Sequence, residues 1–129
     1  YVDFLIPTNQ IKEIFNQSDY LCITCPLTPI TNNMINKKTF KMMKKESIII
    51  NTSRGQIINE EDLISALKNN TIRGAALDVF ATEPLNQDNK LFELDNILLS
   101  PHISGNFSKY QEIMIKQFNQ MLIKFMNGN

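Results

Sequence analysis

Short apolar runs, each bounded by polar residues, recur along this sequence and set its secondary-structure pattern. Four of them occupy residues 20–23, 47–50, 74–77 and 97–99. None of the four alternates apolar with polar residues, and continuous apolar runs of this length are typical of strands buried on both faces of a parallel sheet. Their shortness and their isoleucine content favour strands over short buried helices.

Apolar residues between these runs recur at the spacing of amphipathic helices. The clearest helix is predicted between Asn59 and Asn70, because Asn59 is a favourable N-cap and three acidic residues follow it in the first turn. Shorter helices are predicted near the start of the chain and from Asn36, and a final helix from residues 104–106 to 127. The final helix carries apolar side chains at steps of three and four: Phe107, Tyr110, Met114, Phe118, Met121 and Phe125. Strands that alternate with helices predict an α/β domain with a parallel sheet.

Composition excludes several classes of protein. The 129 residues carry 13 basic (Lys and Arg) and 13 acidic side chains, and this zero net charge argues against a nucleic-acid or membrane-surface partner. Apolar residues make up 43% of the chain, which is enough to build a core. No apolar run approaches the roughly 20 residues that a membrane span needs. Two cysteines are too few for a disulfide scaffold, so we expect a reducing, cytoplasmic compartment.

The two cysteines, Cys22 and Cys25, form a C-x-x-C pair of the kind found in redox and zinc sites. On a strand, residues three apart face opposite sides of the sheet, which keeps the two sulfur atoms apart. A zinc site would also need a second pair of ligands. We therefore predict no metal site.

Residues with catalytic chemistry follow the predicted strands. Arg54 comes after the second strand, Asp78 and Glu83 after the third, and His102, the single histidine, after the fourth. The carboxyl ends of parallel strands share one edge of the sheet, where ligands of open α/β sheets bind. Each residue alone has an ordinary structural explanation, such as a surface ion pair or turn chemistry. Their joint placement at strand ends predicts one shared site.

The side chains of that site suit the reduction of a ketone beside a carboxylate. The guanidinium of Arg54 offers a planar fork that binds a carboxylate through two hydrogen bonds. His102 can donate or accept a proton near neutral pH, and Glu83 would fix its tautomer. Asp78 would accept a hydrogen bond from a ligand amide. A cofactor must supply the hydride, because no side chain can.

Four segments, in order, resemble the signatures of the D-isomer-specific 2-hydroxyacid dehydrogenases, which include glyoxylate/hydroxypyruvate reductases and phosphoglycerate dehydrogenases. They are CPLTPIT at 25–31, NTSRG at 51–55, GAALDVF at 74–80 followed by EPL at 83–85, and SPHISG at 100–105. The related formate dehydrogenases carry Gln at the position of Glu83 and fit less well. Many family members have His where this chain has Thr24, which puts one cofactor contact in doubt.

The resemblance implies a role for each matching residue. Arg54 would bind the carboxylate and carbonyl of the substrate, His102 would be the proton donor and acceptor, and Glu83 its partner. The cofactor would be NAD or NADP, and the substrate a small 2-oxo or 2-hydroxy acid. Six residues would bind the cofactor: Pro26, Thr31, Thr52, Ser53, Asp78 and Gly105.

The resemblance also implies a domain organisation. Glycines occur only at positions 55, 74, 105 and 128, so the chain has no G-x-G-x-x-G motif for the pyrophosphate. Residues 1–129 would then be the C-terminal half of a dinucleotide-binding domain with an incomplete Rossmann-type parallel sheet. The helix over 104–127 would pack toward a substrate domain, and its apolar stripe would be partly exposed in this chain. The family resemblance implies a homodimer, and this segment alone is expected to be inactive.

Two alternatives to an enzyme stay open at this point. The same fold serves as a nicotinamide-sensing corepressor, a binding module that can retain the Arg, Glu and His set without catalysis. A segment with no function of its own is the other alternative.

Overall fold

The computed structural model describes residues 2–128, and four parallel strands form its sheet. They are β1 (Tyr20–Ile23), β2 (Ile48–Asn51), β3 (Gly74–Leu77) and β4 (Ile97–Leu99), side by side in that order. The predicted α/β architecture with a parallel sheet is confirmed. The observed β2 is shifted by one residue from the predicted run at 47–50. It excludes Ser47 and includes Asn51, whose backbone pairs with both neighbouring strands.

Four α-helices accompany the strands in the described part of the chain: α1 (Ile11–Gln17), α2 (Lys37–Phe40), α3 (Glu60–Lys68) and α4 (Tyr110–Met126). Short 3₁₀ turns lie at Thr8–Gln10, Gly55–Ile57 and Lys90–Glu93. The N-caps predicted at Asn36 and Asn59 are confirmed, whereas α1 begins at Ile11 after Gln10, not at a cap formed by Thr8. The side chain of Asn36 accepts a hydrogen bond from the backbone N–H of Lys38, and that of Asn59 accepts one from Asp62, each at 3.0 Å.

The final helix begins later than the sequence predicts. Its first residue is Tyr110, whereas the apolar spacing placed the start at residues 104–106. The backbone N–H groups of Ile103 and Ser104 donate to the carboxylate of Asp78, and turns at Ile103–Asn106 and Phe107–Tyr110 follow. These bonds fix residues 103–104 to the sheet, so the helix cannot include them. The expected exposure of the apolar stripe is confirmed, since Phe118 is 62% exposed and α4 buries no residue.

The core lies on one face of the sheet. Leu21, Ile49 and Ala75 share a row across the first three strands, and all three are buried. Side chains from α1, α2 and α3 pack against this face, among them Phe15, Phe40, Leu63 and Leu67. The opposite face of the edge strands is open to solvent at Tyr20, Cys22 and Leu98. The prediction that the strands are buried on both faces is therefore wrong for this chain, because α4 does not cover the second face.

The ends of the strands form one straight row at the carboxyl edge of the sheet. Ile23 is paired with Asn51, Asn51 with Leu77, and Leu77 with Leu99. The loops that leave these positions therefore start at the same level and run side by side.

Gly55 is the point where the loops after β2 and β3 touch. A Cβ atom at this position would lie 1.9 Å from the carbonyl carbon of Phe80 and 2.4 Å from the backbone nitrogen of Ala81. Both are backbone atoms that cannot rotate away. Glycine is therefore required for the two loops to approach this closely.

Replacing Gly55 with Ala should lower the free energy of unfolding by about 3 kcal/mol, because the added methyl group forces the two loops apart. Gly105→Ala is the matched control, since a Cβ there meets no atom within 4 Å. Its stability should change by less than about 0.5 kcal/mol. Chemical denaturation of the complete gene product measures both variants, and equal stability of the two would contradict the contact.

Candidate active site

The carboxyl edge of the sheet brings together the chemically active residues that the sequence singled out. Arg54 lies in the loop after β2, Asp78 and Glu83 follow β3, and His102 follows β4. The loop after β1 contributes Cys25 and Pro26 to the same edge.

The loop that carries Arg54 is held by Asn51 at the end of β2 and by the neighbouring loop after β1. Asn51 is 1% exposed, and its carboxamide accepts a hydrogen bond from the backbone N–H of Ser53 at 3.1 Å and donates one to the carbonyl of Arg54 at 2.9 Å. The hydroxyl of Ser53 donates to the carbonyl of Cys25. The Arg54 side chain is exposed, and its Nη1 donates to the carbonyl of Ser53 at 2.6 Å. The backbone of this loop is thus held, while the guanidinium faces solvent.

His102 and Glu83 form a direct pair. Nδ1 of His102 lies 2.7 Å from Oε2 of Glu83, and Oε1 of Glu83 accepts a hydrogen bond from the backbone N–H of Phe80 at 2.9 Å. An ionised carboxylate can only accept, so Nδ1 carries the hydrogen atom in this pair. Nε2 is then the nitrogen left to exchange a proton with a ligand.

Glu83 is held in its ionised form. The hydrogen bond from His102 lowers the pKa of Glu83, and the N–H of Phe80 lowers it further, against a smaller rise from partial burial. The positive charge of Arg54 contributes in the same direction. The direct pair is that of Glu83 with His102, while Arg54 leaves the neighbouring strand end at the same edge of the sheet.

Asp78 anchors the loop that carries His102. Its carboxylate, only 3% exposed, accepts three hydrogen bonds from that loop. Oδ1 accepts from the hydroxyl of Ser100 at 2.5 Å and from the N–H of Ile103 at 2.9 Å, and Oδ2 accepts from the N–H of Ser104 at 2.9 Å. Burial alone would raise the pKa of Asp78, but these hydrogen bonds outweigh it and lower the pKa well below its ordinary value.

His102 itself has a strained backbone. Its φ of 55° lies in the left-handed region, which costs a non-glycine residue on the order of 1 kcal/mol. The residues on both sides of it, Ser100 and Ile103, are tied to Asp78, and the N–H of His102 donates to the carbonyl of Ser100 at 3.0 Å. These anchors hold the histidine in this conformation, which directs its ring toward Glu83.

A cavity of about 550 Å³ adjoins the pair. Glu83, Ser100 and His102 supply its polar atoms, and apolar side chains form most of its wall: Phe80, Pro84, Leu85, Phe92, Leu99 and Pro101. The imidazole of His102 lies at the wall of this largely apolar cavity, and its side chain is 50% exposed, so a ligand that enters the cavity can reach the ring.

The remaining predicted residues lie in the loops around this edge. The hydroxyl of Thr31 donates to the carbonyl of Pro26 at 2.8 Å, which closes the loop after β1. Thr52 and Gly105 are exposed, and Ser53 is half-buried. Cys22 and Cys25 are both free thiols. No group of three residues able to ligate a metal occurs within 2–128.

Residues that organise the site were harder to identify from the sequence. Asn51 and Ser100 stand in the sequence motifs without a predicted role of their own, and the sequence does not predict that position 55 requires glycine. The one available signal was the position of Asn51 and Ser100, each a polar residue directly after an apolar strand core. Gln56 gave no signal, although its side chain donates to the carbonyl of Ala81 at 3.0 Å and joins the same two loops as Gly55.

A parallel α/β sheet with a cation, an acid and an imidazole at its carboxyl edge is the architecture of a Rossmann-type oxidoreductase domain. The family model "D-isomer specific 2-hydroxyacid dehydrogenase, NAD binding domain" matches residues 3–104. The chain belongs to this family, as its sequence motifs predicted.

Named relatives agree with this assignment. The chain is 42% identical over 119 residues to "Probable 2-ketogluconate reductase" from Dictyostelium discoideum, covering 92% of this chain and 36% of the relative. It is 39% identical over 118 residues to glyoxylate reductase from Thermococcus onnurineus, covering 92% and 35%. The chain thus spans about a third of the length of the curated relatives it matches.

A solved structure confirms the fold. A 2-hydroxyacid dehydrogenase from Rhizobium etli, described as probable and in complex with NADP, HEPES and L(+)-tartaric acid, superposes with a TM-score of 0.78 at 29% identity. The superposition covers 96% of this chain and 40% of that chain. Among the helices of residues 2–128, none has the length and hydropathy to cross a bilayer.

The bonds to Asp78 predict an acid-sensitive stability. Because folding lowers the pKa of Asp78, its ionised form stabilises the fold above the ordinary value of 3.8, and this stabilisation is lost as the pH falls through the lowered value. Asp78→Asn should cost about 2–3 kcal/mol at neutral pH and flatten the fall in stability below about pH 4. Asp88→Asn, at an exposed carboxylate, is the control. Denaturation curves between acid and neutral pH that coincide for the two variants would contradict the anchor.

Proposed function

We propose that this chain contributes the catalytic part of an NAD(P)-dependent reductase that converts a small 2-oxo acid into its D-2-hydroxy acid. The observation that carries the proposal is the 2.7 Å contact between Nδ1 of His102 and the carboxylate of Glu83, at the edge of the sheet where the loop of Arg54 also begins. Membership of the dehydrogenase family supports the same reaction.

Each of the three side chains has a separate task in this proposal. Arg54 binds the carboxylate of the substrate through its guanidinium fork and polarises the neighbouring carbonyl. His102 gives a proton from Nε2 to the oxygen of that carbonyl as it becomes an alcohol. Glu83 keeps Nδ1 protonated, and its charge stabilises the ring when both nitrogens carry hydrogen.

The residues at this edge fit the nicotinamide end of the cofactor. When bound, NADH or NADPH supplies the hydride. The exposed Thr52 and the half-buried Ser53 border the edge beside the loop that contains Pro26 and Thr31. In this proposal the Asp78 carboxylate, which accepts hydrogen bonds from Ser100, Ile103 and Ser104, also accepts one from the nicotinamide amide, as the resemblance implies. With only Gly55 and Gly105 near the edge, no glycine-rich loop is available for the pyrophosphate.

We propose that residues 1–129 correspond to the second half of the dinucleotide-binding domain and that α4 packs against a substrate-binding domain. The curated relatives are about three times as long as the region they share with this chain. The apolar face of α4, which includes Met114, Phe118 and Met121, is exposed in this chain. Homodimer formation and a cytoplasmic location, expected from the resemblance and the composition, belong to the same proposal.

The relatives favour a reductase over a corepressor-like binding module. The two curated relatives described above are named as reductases of glyoxylate and 2-ketogluconate. The pair of His102 and Glu83 is compatible with both, because a binding module can retain the Arg, Glu and His set, so the names of the relatives carry this preference.

Activity of the complete gene product tests the proposal directly. NADH or NADPH mixed with glyoxylate, hydroxypyruvate or 2-ketogluconate should be oxidised, which is measured as loss of the absorbance of reduced nicotinamide. His102→Ala should lower kcat by about a hundredfold or more, because the proton donor is removed. Failure to oxidise either cofactor with any of the three oxo acids, or unchanged turnover in the variant, would contradict the proposal.

Arg54→Lys tests the carboxylate fork. The substitution keeps the charge but removes the bidentate geometry, and the loss in kcat/KM should correspond to about 2–4 kcal/mol. Arg73→Lys is the matched control, because the other arginine of the chain lies just before β3, at the opposite edge of the sheet. Steady-state kinetics in which both variants behave like the parent protein would remove Arg54 from the site.

A further inference from the structure

Asn51 is a buried polar residue that the proposed mechanism does not use. It is the last residue of β2 and is 1% exposed, between Ile23 of β1 and Leu77 of β3. Its backbone is fixed on both sides, and its own carbonyl accepts a hydrogen bond from the N–H of Asp78 at 3.0 Å. A carboxamide at such a position is costly to bury unless its polar atoms are paired.

Both ends of the carboxamide are paired with the loop that carries Arg54. Oδ1 accepts from the N–H of Ser53, and Nδ2 donates to the carbonyl of Arg54. The two contacts hold the Thr52–Ser53 peptide group and the Arg54–Gly55 peptide group, which enclose the segment from Ser53 to Arg54. The two contacts need one acceptor and one donor at the two ends of a carboxamide. Asp and Leu lack the donor, and the shorter side chain of Ser does not place both groups at these positions.

One other hydrogen bond reaches the Arg54 carbonyl, from the backbone N–H of Ile57 at 3.3 Å in the 3₁₀ turn that follows, and the remaining restraints on this loop act beside Arg54. The hydroxyl of Ser53 is bonded to the loop after β1, and Gly55 is pressed against the backbone of Phe80. These contacts set the position of the loop between its neighbours. Of the two hydrogen bonds to the Arg54 carbonyl, the one from Ile57 comes from the following turn, and the shorter one from Asn51 ties the carbonyl to the sheet.

We infer that Asn51 is a positioning residue for substrate binding, which sets the direction in which the Arg54 guanidinium leaves the sheet. The inference rests on the proposed function, in which Arg54 binds the carboxylate of the oxo acid. Asn51 does not touch the substrate in this scheme, and it acts only through Arg54. A misplacement of a binding group by about 1 Å is enough to cost up to about a hundredfold in rate.

Asn51→Asp tests the inference in the complete gene product. The variant is nearly isosteric, keeps the acceptor for Ser53, and places a carboxylate oxygen against the carbonyl of Arg54. The KM for the oxo acid should rise by about tenfold or more, while the KM for NADH or NADPH stays within about twofold, because the loss is confined to the carboxylate fork. Asn51→Ser, which keeps an acceptor but has no donor that reaches Arg54, should change KM in the same direction.

Asn96→Asp is the matched control. Asn96 is half-buried, and its carboxamide donates to the carbonyl of Leu67 at 3.2 Å just before β4, at the far edge of the sheet. This variant should lose a comparable amount of thermal stability without any change in KM for the oxo acid. A substrate KM that rises equally in Asn96→Asp would show a general effect on the fold and would overturn the inference.

Combining Asn51→Asp with Arg54→Ala separates this inference from the proposed function. If Asn51 acts through Arg54, the double variant should have the same kcat/KM as Arg54→Ala alone.

An Arg54→Ala protein with full activity would refute the proposed function. A damaged Arg54→Ala protein beside an unaffected Asn51→Asp protein would refute only the role of Asn51. Loss of the folded state in both Asn51 variants would assign the residue to the fold and would also overturn the inference.

Discussion

The carboxylate of Asp78 is the interaction on which the geometry of this edge depends. It leaves the end of β3 and ties down Ser100, Ile103 and Ser104, so the chain after β4 must turn back across the sheet. Together with the bond from the N–H of His102 to the carbonyl of Ser100, those bonds offset the cost of the left-handed backbone of His102. The same bonds delay the start of α4 to Tyr110. One buried charge thus determines both the position of the imidazole and the path of the final helix.

The two acidic side chains of the site have different environments and different tasks. Asp78 is buried, and the backbone and hydroxyl donors around it keep it ionised. Glu83 is partly open to solvent, and a titratable partner, His102, keeps it ionised together with the N–H of Phe80. A carboxylate that is surrounded by fixed donors, such as Asp78, holds the backbone in place. A carboxylate paired with a histidine, such as Glu83, can also stabilise the imidazole when that ring gains a positive charge during a reaction.

Much of this architecture could be predicted from the sequence, because the relevant signals are local. Apolar runs, N-caps such as Asn59 and the order of polar residues after strands sufficed to place the sheet, the helices and the shared edge. The pairing of Glu83 with His102 was predicted from chemistry and is present at 2.7 Å.

Contacts between distant loops could not be predicted. Nothing near Gly55 in the sequence indicates that the backbone of Phe80 will lie against it, and nothing near Ser104 indicates a bond to a residue 26 positions earlier. The burial of the sheet was also misjudged, since an apolar run does not indicate whether a helix will cover its second face.

The contact at Gly55 makes the spacing of the site independent of side-chain size. The loops bearing the guanidinium and the acid meet at Gly55 through main-chain atoms, so their closest approach is set by the radii of peptide groups, and the side chain of Gln56 adds a hydrogen bond to the carbonyl of Ala81. Substitutions elsewhere in the interior can change how tightly the helices seat against the sheet, yet they do not reset this distance. Backbone contact therefore sets the separation of the two loops that carry Arg54 and Glu83. Substitutions can accumulate in the core without changing that separation.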